Sequence, residues 1–111
     1  MALKRGDIHW VAFPKREPRG VEIEKTRPCI IVSHTNVNEY RKTVVVVPLT
    51  HGSREAPPII ITIASGGENS KAVCDQIVAV DKRRVGEEVL GSLTQNELAY
   101  LEECLRRVIG L

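Results

Sequence analysis

Two apolar segments of the sequence are flanked by side chains suited to phosphate chemistry, one at its C-terminal end and the other at its N-terminal end. In the first, four consecutive valines at residues 44–47 lead through Pro48 and Leu49 to the hydroxyl of Thr50 and the imidazole of His51. A hydroxyl can hydrogen-bond a phosphate oxygen, and an imidazole titrates close to neutral pH. A residue that only makes a turn is the alternative interpretation of Thr50.

The second segment, Cys-Ile-Ile-Val at residues 29–32, follows directly on Arg27 and Pro28. Because proline disfavours helical geometry in the residue before it, we expect Arg27 to be held extended at the mouth of a strand. Its guanidinium is a planar fork of donors that matches phosphate oxygens. The two strand ends therefore offer a guanidinium and a hydroxyl, and both groups suit a phosphate.

The valine run is predicted to be a buried strand. β-Branched residues favour extended structure, and a continuous apolar pattern is typical of a strand covered on both faces. Pro48 has no N–H to donate to a neighbouring strand. We therefore expect the ladder to stop at Pro48, with residues 49–51 at an edge of the sheet.

The sequence before these segments predicts one strand and one long loop. Residues 7–13 alternate like a half-buried strand, with Ile8, Trp10 and Ala12 towards the core. Residues 14–26 lack periodicity and are predicted to be a long loop. The cations of this loop either form a binding surface or are solvated: Lys15, Arg16, Arg19 and Lys25.

The sequence after the valine run predicts two further strands, at residues 59–63 and 71–80, separated by a turn rich in serine and glycine. Asp75 and Gln76 interrupt the second of these strands. Because burying unpaired polar groups is costly, we expect these side chains to satisfy buried groups, to line a dimer interface or to contact a ligand. Residues 81–89 predict a short strand or a turn.

The last element is an amphipathic helix with clear ends. Thr94 and Glu97 form the Thr-x-x-Glu pattern of a capping box, and Gly110 supplies a stop. Five or six short strands without βαβ alternation, followed by one helix, predict a small antiparallel barrel capped by that helix, in a single domain over residues 1–111. The apolar stripe of the helix should pack on the sheet: Leu98, Leu101, Leu105 and Val108.

Composition describes an ordinary globular protein. Of its 111 residues 42% are hydrophobic and 27% charged, and the net charge of +2 permits nucleic acid as a partner without requiring it. The three cysteines, Cys29, Cys74 and Cys104, form no disulfide framework, which fits a reducing cytoplasm. The histidines lack metal-ligand spacing, so we expect no metal and no cofactor. We also expect no signal peptide and no membrane span.

Five short motifs occur in order along the chain. They are Lys-Arg-Gly-Asp-Ile at residues 4–8, the segment 20–28 that ends in Thr-Arg-Pro, Val-Pro-Leu-Thr at 47–50, Asp-Gln-Ile at 75–77 and Asp-Lys-x-Arg at 81–84. In this order, and followed by the capped helix, they resemble the MazF/PemK family of toxin endoribonucleases from bacterial toxin–antitoxin pairs. The resemblance covers nearly the whole chain.

The resemblance implies an SH3-like barrel that acts as a homodimer and cleaves single-stranded RNA (mRNA) without a metal, which inhibits translation and growth. It also implies a cognate antitoxin with an acidic, disordered segment that neutralises the toxin. In the family pattern, Arg27 and Thr50 are the catalytic pair, and Glu22 and Gln76 line the RNA groove. Further candidate RNA contacts are Arg19, Lys25 and His51.

Metal-free cleavage begins with attack of the substrate's own 2′-hydroxyl on phosphorus and gives a cyclic phosphate and a free 5′-hydroxyl. Arginine is a poor base near neutrality, so we expect Arg27 to stabilise charge and donate a proton, while Thr50 hydrogen-bonds a non-bridging oxygen. His51 is a candidate for the base, with a merely solvent-facing imidazole as the alternative. Three residues depart from the family pattern: Val21 and Val78, which put the RNA sequence preference in doubt, and His51.

Two other functional classes compete with this interpretation. A non-catalytic toxin of the same fold would bind a protein target such as DNA gyrase, but such a binder has no need of Arg27 and Thr50. A peptide-binding SH3-like module would present an aromatic groove for proline-rich ligands, and only 4% of this chain is aromatic. The peptide-binding module therefore ranks last.

Overall fold

The computed structural model describes the backbone of residues 3–16 and 22–111 and the side chains of residues 3–14 and 25–111. One curved antiparallel sheet of seven strands and two helices make up this part of the chain. The strands are β1 (Asp7–Arg16), β2 (Glu22–Ile31), β3 (Thr43–His51), β4 (Ile60–Thr62), β5 (Ser70–Val73), β6 (Val78–Asp81) and β7 (Gly91–Ser92). The helices are α1 (Thr35–Tyr40) and α2 (Gln95–Ile109).

The valine strand β3 is the centre of the sheet, as its apolar run predicts. The strand order is β4-β5-β3-β2-β1-β7, and β6 pairs with the first half of β3. Buried side chains alternate between the two faces of β3, so Val44 and Val46 belong to one apolar cluster and Val47 and Leu49 to the other. Both faces of this strand are therefore covered.

The prediction that Pro48 ends the ladder is wrong. Pro48 lies inside β3, where it is buried and pairs with Cys29 of β2. β6 pairs with β3 only as far as Val46, and β5 begins to pair at Leu49. Pro48 thus stands between the two partners on that side of β3, where a missing N–H costs no hydrogen bond to either strand.

The long loop predicted for residues 14–26 is also wrong. β1 and β2 pair continuously from Ile8 with Ile30 to Arg16 with Glu22, so most of that segment is a long hairpin. Arg27 consequently lies within the ladder, opposite Val11, rather than at the mouth of a strand. Pairing with β1 imposes extended structure on a charged sequence that has no periodicity of its own.

The burial of β1 differs from the predicted alternation. His9 and Val11 are buried, whereas Trp10 is 44% exposed. The sheet curls so that the side of β1 bearing His9 faces the cluster around Val11 and Val85, and the Nδ1 atom of His9 lies 2.7 Å from the carbonyl oxygen of Gly86. Only Ile8 follows the predicted pattern, because it packs into the other cluster, under α2.

The single strand predicted over residues 71–80 is two strands, β5 and β6, with a 3₁₀ turn at Cys74–Gln76 between them. Asp75 and Gln76 in this turn are exposed rather than buried. Lys82–Arg84 form another 3₁₀ turn, which agrees with the turn predicted there. Because of this turn, β3 pairs with β6 as far as Val46 and with β5 from Leu49 onwards, in a shifted register. Pro48 lies where the partner changes.

Helix α2 has the ends that the sequence predicts. Thr94 and Glu97 form a complete capping box, and Gly110 ends the helix in the left-handed conformation at φ 80°. Leu101 and Leu105 are buried in the cluster that also holds Val47 of the central strand. Neither helix in the described part of the chain combines the length and apolar character that a membrane span needs.

The fold class is the one that the sequence predicts, a small antiparallel barrel-like sheet capped by a C-terminal helix, with seven strands in place of five or six. The additional strand arises mainly because the interruption at residues 74–76 divides one predicted strand into two.

The Glu97 carboxylate ties the start of α2 to the turn at Ser65. It accepts hydrogen bonds from the N–H groups of Thr94 (2.9 Å) and Ser65 (3.0 Å) and from the Ser65 hydroxyl. Burial alone would raise the pKa of Glu97, but these hydrogen bonds outweigh burial, and the pKa lies below its ordinary value of 4.5.

Because the folded state favours the ionised carboxylate, its stabilisation is complete above pH 4.5 and is lost as the pH falls through the lowered pKa. We predict that Glu97→Gln lowers the free energy of unfolding at neutral pH by about 1 kcal/mol and weakens its dependence on pH in the acid range. Urea unfolding at a series of pH values measures both effects. The exposed Glu88→Gln is the control. An unchanged acid dependence in Glu97→Gln would contradict this assignment.

Candidate functional site

A groove of about 320 Å³ opens beside Pro48, where β3 changes partners. Phe13, Pro14, Pro48 and Val78 supply its apolar surface, and its polar groups come from two cations and one amide, Lys25, Arg27 and Gln76. An apolar surface beside fixed positive charge suits an extended anionic chain that also carries flat, apolar groups. Single-stranded nucleic acid has this character.

Arg27 and Thr50 are brought to the same side of the sheet. Cys29 and Pro48 form the last pair between β2 and β3. Two residues further along each strand lie Arg27 and Thr50, both half-buried. Since side chains alternate along a strand, both lie on the face shared by Cys29 and Pro48. The guanidinium and the hydroxyl that the sequence singles out thus belong to one surface.

Lys71 adds a cation that sequence reasoning missed. It lies directly opposite Thr50 in the register between β5 and β3, and it is half-buried. Directly opposite residues of antiparallel strands project from the same face, with Cβ atoms about 5 Å apart. Only the strand pairing shows that Lys71 and Thr50 are neighbours, because they are 21 residues apart in the sequence and no motif contains both.

The 3₁₀ turn Cys74–Gln76 presents Gln76 to the groove. The same turn exposes Asp75, which does not line the groove. Lys25 enters the groove from β2, two residues before Arg27. Of the RNA contacts proposed from the sequence, Gln76 and Lys25 therefore lie together with Arg27.

Of the remaining predicted contacts, only His51 has a described side chain, and it does not line the groove. His51 is exposed at the end of β3, and strand alternation places its side chain on the opposite face from Thr50. This placement does not favour His51 as the base of the reaction. Glu22 begins β2 opposite Arg16, but its side chain lies outside the described residues, and so does the whole of Arg19.

The cysteines are unsuited to nucleophilic chemistry. Burial raises the pKa of Cys29 to about 12, against a smaller opposing effect of the Arg27 charge. Burial also raises the pKa of Cys74 to about 12, with additional contributions from Cys104 and Asp75. The pKa of Cys104 is raised by burial as well. A thiol held protonated is neither a nucleophile nor a metal ligand near neutral pH.

The chemistry available at this surface is anion binding. A guanidinium, a hydroxyl and an ammonium on one face can hold a phosphate and stabilise charge that develops on it. Within residues 3–14 and 25–111, no group of three or more His, Cys, Asp or Glu side chains is placed to hold a metal ion.

Residues 4–109 match the family described as the PemK-like, MazF-like toxin of type II toxin–antitoxin systems. The chain belongs to this toxin family. The family expected from the sequence motifs is therefore confirmed. No curated protein sequence matches the chain.

Solved structures share the fold of this MazF-like chain at low sequence identity. MazF in a MazE–MazF complex from Deinococcus radiodurans has a TM-score of 0.81 at 22% identity, over 100% of this chain and 98% of that one. A mycobacterial endoribonuclease in complex with its cognate antitoxin has a TM-score of 0.75 at 22% identity, over 97% and 95% of the two chains. The Mycobacterium tuberculosis toxin MazF-mt6 has a TM-score of 0.71 at 23% identity, over 95% and 97%.

The burial of the cysteines predicts that the native protein resists thiol reagents. With exposures of 0%, 0% and 2% for Cys29, Cys74 and Cys104, dithionitrobenzoate at neutral pH should label none of them rapidly, and guanidinium should release all 3 thiols. Absorbance at the thionitrobenzoate band measures the reaction. Rapid labelling of a folded chain would contradict the described burial.

Proposed function

We propose that this MazF-like chain is a metal-independent endoribonuclease that cleaves single-stranded RNA at specific sequences. The observation that carries the proposal is the placement of Arg27 and Thr50, two residues beyond the Cys29–Pro48 pair on one face of the sheet. Arg27 also lines the groove, together with Lys25. A protein that only binds another protein has no need of this combination. The family and its structural neighbours named as endoribonucleases support the same assignment.

The proposed reaction is an internal transfer at one phosphodiester. The 2′-hydroxyl passes its proton to a water molecule and attacks phosphorus, the bond to the 5′-oxygen breaks, and that oxygen takes up a proton to leave as a 5′-hydroxyl. The other product carries a 2′,3′-cyclic phosphate. No redox partner or added nucleophile enters the balance, so the site has only to move two protons and stabilise the additional charge on the phosphorane.

Three side chains stabilise the charge and protonate the leaving oxygen in the proposal. The Arg27 guanidinium stabilises the equatorial oxygens of the phosphorane and protonates the leaving 5′-oxygen. Thr50 hydrogen-bonds a non-bridging oxygen, and Lys71 adds a positive charge across the strand from Thr50. Because strand alternation turns His51 to the other face, we assign it no base role.

The groove supports an antitoxin with an acidic, disordered segment as the natural inhibitor. Carboxylates of such a segment would occupy the positive charges of Lys25 and Arg27 in place of RNA phosphates. Neighbours of this fold occur in complexes named as toxin with cognate antitoxin. Inhibition would then result from competition for one surface.

A homodimer is also part of the proposal. Trp10, Ile59 and Tyr100 expose 44%, 45% and 44% of their surface, although each lies on or beside a regular element. The resemblance to the family carries this part of the proposal, and these three side chains are candidates for the surface between the two copies. The molar mass in light scattering would distinguish a dimer from a monomer of 12.3 kDa.

The proposed function predicts cleavage of a mixed-sequence single-stranded RNA in excess EDTA, with 5′-hydroxyl ends at a repeated short sequence. Because Arg27 carries the main charge stabilisation, Arg27→Ala should lower kcat/KM at least about hundredfold. Thr50→Val should lower kcat/KM substantially, whereas Thr50→Ser, which keeps a hydroxyl, should retain most of it. Sequencing of the mapped ends and single-turnover rates measure these effects.

The control for charge loss is Arg107→Ala, an exposed arginine on α2 that lies outside the groove. It should cleave like the wild type. If the folded wild type cuts none of a varied set of RNAs, the proposal fails and a toxin that acts by binding a protein target becomes the better account. Cuts that persist in Arg27→Ala would place the activity elsewhere or in a contaminant.

Lys71 gives a separate prediction. Because its charge lies beside Thr50 without the planar donor fork of arginine, Lys71→Gln should lower kcat/KM about tenfold, and Lys71→Arg should restore most of the loss. The rate of Lys71→Gln should also depend less steeply on salt, since one contact to the RNA backbone is removed. A rate for Lys71→Gln equal to that of the wild type would remove Lys71 from the site.

A further inference from the structure

A second concentration of positive charge lies at the other end of β3. The end of α1 and the 3₁₀ turn after β6 enclose an open cleft of about 530 Å³. We call this surface the cationic cleft, and with the adjoining Arg84 it comprises two anions, one tyrosine and five cations: Glu39, Asp81, Tyr40, Arg41, Lys42, Lys82, Arg83 and Arg84. The two anions leave it three positive charges in excess, whereas the whole chain has a net charge of only +2.

Most of this charge is free to meet a ligand. Arg83 forms an ion pair with Asp81 at 2.9 Å, and the Lys82 ammonium donates to the carbonyl of Asn38 at 2.6 Å. Among the described residues, neither Arg41 nor Arg84 has a carboxylate within salt-bridge distance. A solvated surface that served no ligand would more often interleave such cations with acids.

The cleft is held rigidly by contacts beneath it. Asn38 is buried, and its side-chain amide donates to the carbonyls of Leu3 (3.0 Å) and Ser33 (3.1 Å). The N–H of Lys82 donates to the carbonyl of Lys42 at 2.9 Å, which ties the 3₁₀ turn to the start of β3. A backbone fixed in this way needs no reordering when a ligand binds, so the entropy cost of binding falls on the side chains alone.

An aromatic ring stands among these charges. Tyr40, the last residue of α1, is 86% exposed, so burial in the core does not account for it. Aromatic rings flanked by cations are the usual platform for unpaired bases, which stack on the ring while their phosphates meet the charges. An acidic protein segment would use the cations but would gain nothing from an exposed ring beside them.

The cationic cleft and the groove are joined by the same two strands. β3 begins at Thr43 beside the cleft, reaches Pro48 at the groove and continues to Thr50, and β6 runs from Val78 in the groove to Asp81 in the cleft. At about 3.3 Å per residue, Thr43 and Thr50 are about 23 Å apart along the strand. A single strand with stacked bases covers that length in about seven nucleotides, at about 3.4 Å each.

We propose that the cationic cleft binds single-stranded RNA that flanks the cleavage site, with Tyr40 as a stacking platform and Arg41 and Arg84 as phosphate contacts. The inference rests on the proposed endoribonuclease function and adds to it a second contact with the substrate. It implies that long RNAs bind better than short ones because only the long RNAs reach the cationic cleft. It also implies that the two surfaces contribute independently to salt dependence.

The test uses the full-length chain and two RNAs that contain one mapped cleavage sequence, one of about 6 nucleotides and one of about 20. In Arg41→Gln/Arg84→Gln, kcat/KM should fall about tenfold for the long RNA and stay unchanged for the short one. Tyr40→Ala should show the same selective loss, and Tyr40→Phe should restore the long RNA, because it keeps the stacking ring. Equal rates for wild type and these variants on the long RNA would overturn the inference.

Binding gives a second measurement that does not depend on cleavage. In an Arg27→Ala background, anisotropy of the labelled long RNA at several salt concentrations should show a slope lower by about 1.4 when Arg41 and Arg84 are both replaced by glutamine, which corresponds to two lost contacts. The charge-matched control, Arg106→Gln/Arg107→Gln on α2, should leave the slope unchanged. If its slope falls as much, the effect is one of net charge and the inference is overturned.

The outcomes separate the inference from the proposed function. Cleavage by the wild type with no length-dependent loss in the variants would overturn the cleft and leave the endoribonuclease intact. Absence of cleavage, combined with RNA binding that requires Arg41 and Arg84, would support the cleft and contradict the endoribonuclease. If a polyglutamate probe, but not RNA, binds in a manner that requires these arginines, the cleft belongs to an acidic protein partner and the RNA assignment is wrong.

Discussion

The change of partners along β3 is the constraint on which the rest of the structure depends. The strand pairs with β6 as far as Val46 and with β5 from Leu49 onwards, and Pro48 lies between them. The chain that joins β5 to β6 must therefore leave the ladder, and it does so as the turn that presents Gln76. On the other side of β3, the pairing with β2 ends at Cys29, and Arg27, which still pairs with β1, lies beside the opening. One interruption thus produces both the groove and its polar residues.

Positively charged side chains lie near both ends of β3, and we propose a different role in RNA binding for each group. The half-buried Arg27, Thr50 and Lys71 are positioned by strand register, whereas the cationic cleft is positioned by buried hydrogen bonds of Asn38. The first arrangement suits one phosphate that must be held accurately, because strand register leaves little freedom. The second suits looser contacts to a longer chain, because Arg41, Lys42 and Arg83 are exposed on long side chains. Neither role requires a strongly basic protein, which agrees with a net charge of only +2.

What the sequence predicts correctly is local. The capping box at Thr94, the stop at Gly110 and the valine strand depend on neighbouring residues alone, and the structure contains all three. Strand pairing is not local, so the sequence predicts a loop where the long hairpin lies and places Trp10, rather than His9, towards the core. The same limit hid Lys71, whose relation to Thr50 exists only through register. Residue types at two strand ends single out Arg27 and Thr50, and the family pattern pairs them because it carries non-local information that periodicity lacks.

The central claim is that Arg27 and Thr50 act on one phosphate, and a double-mutant cycle tests it most directly. Single-turnover cleavage of one mapped RNA would be compared for wild type, Arg27→Ala, Thr50→Val and the double variant. Groups that act as a unit on the same transition state give strongly non-additive losses. We expect the double variant to be little slower than Arg27→Ala alone. Losses that multiply in full would show that the two side chains act independently and would contradict a shared site.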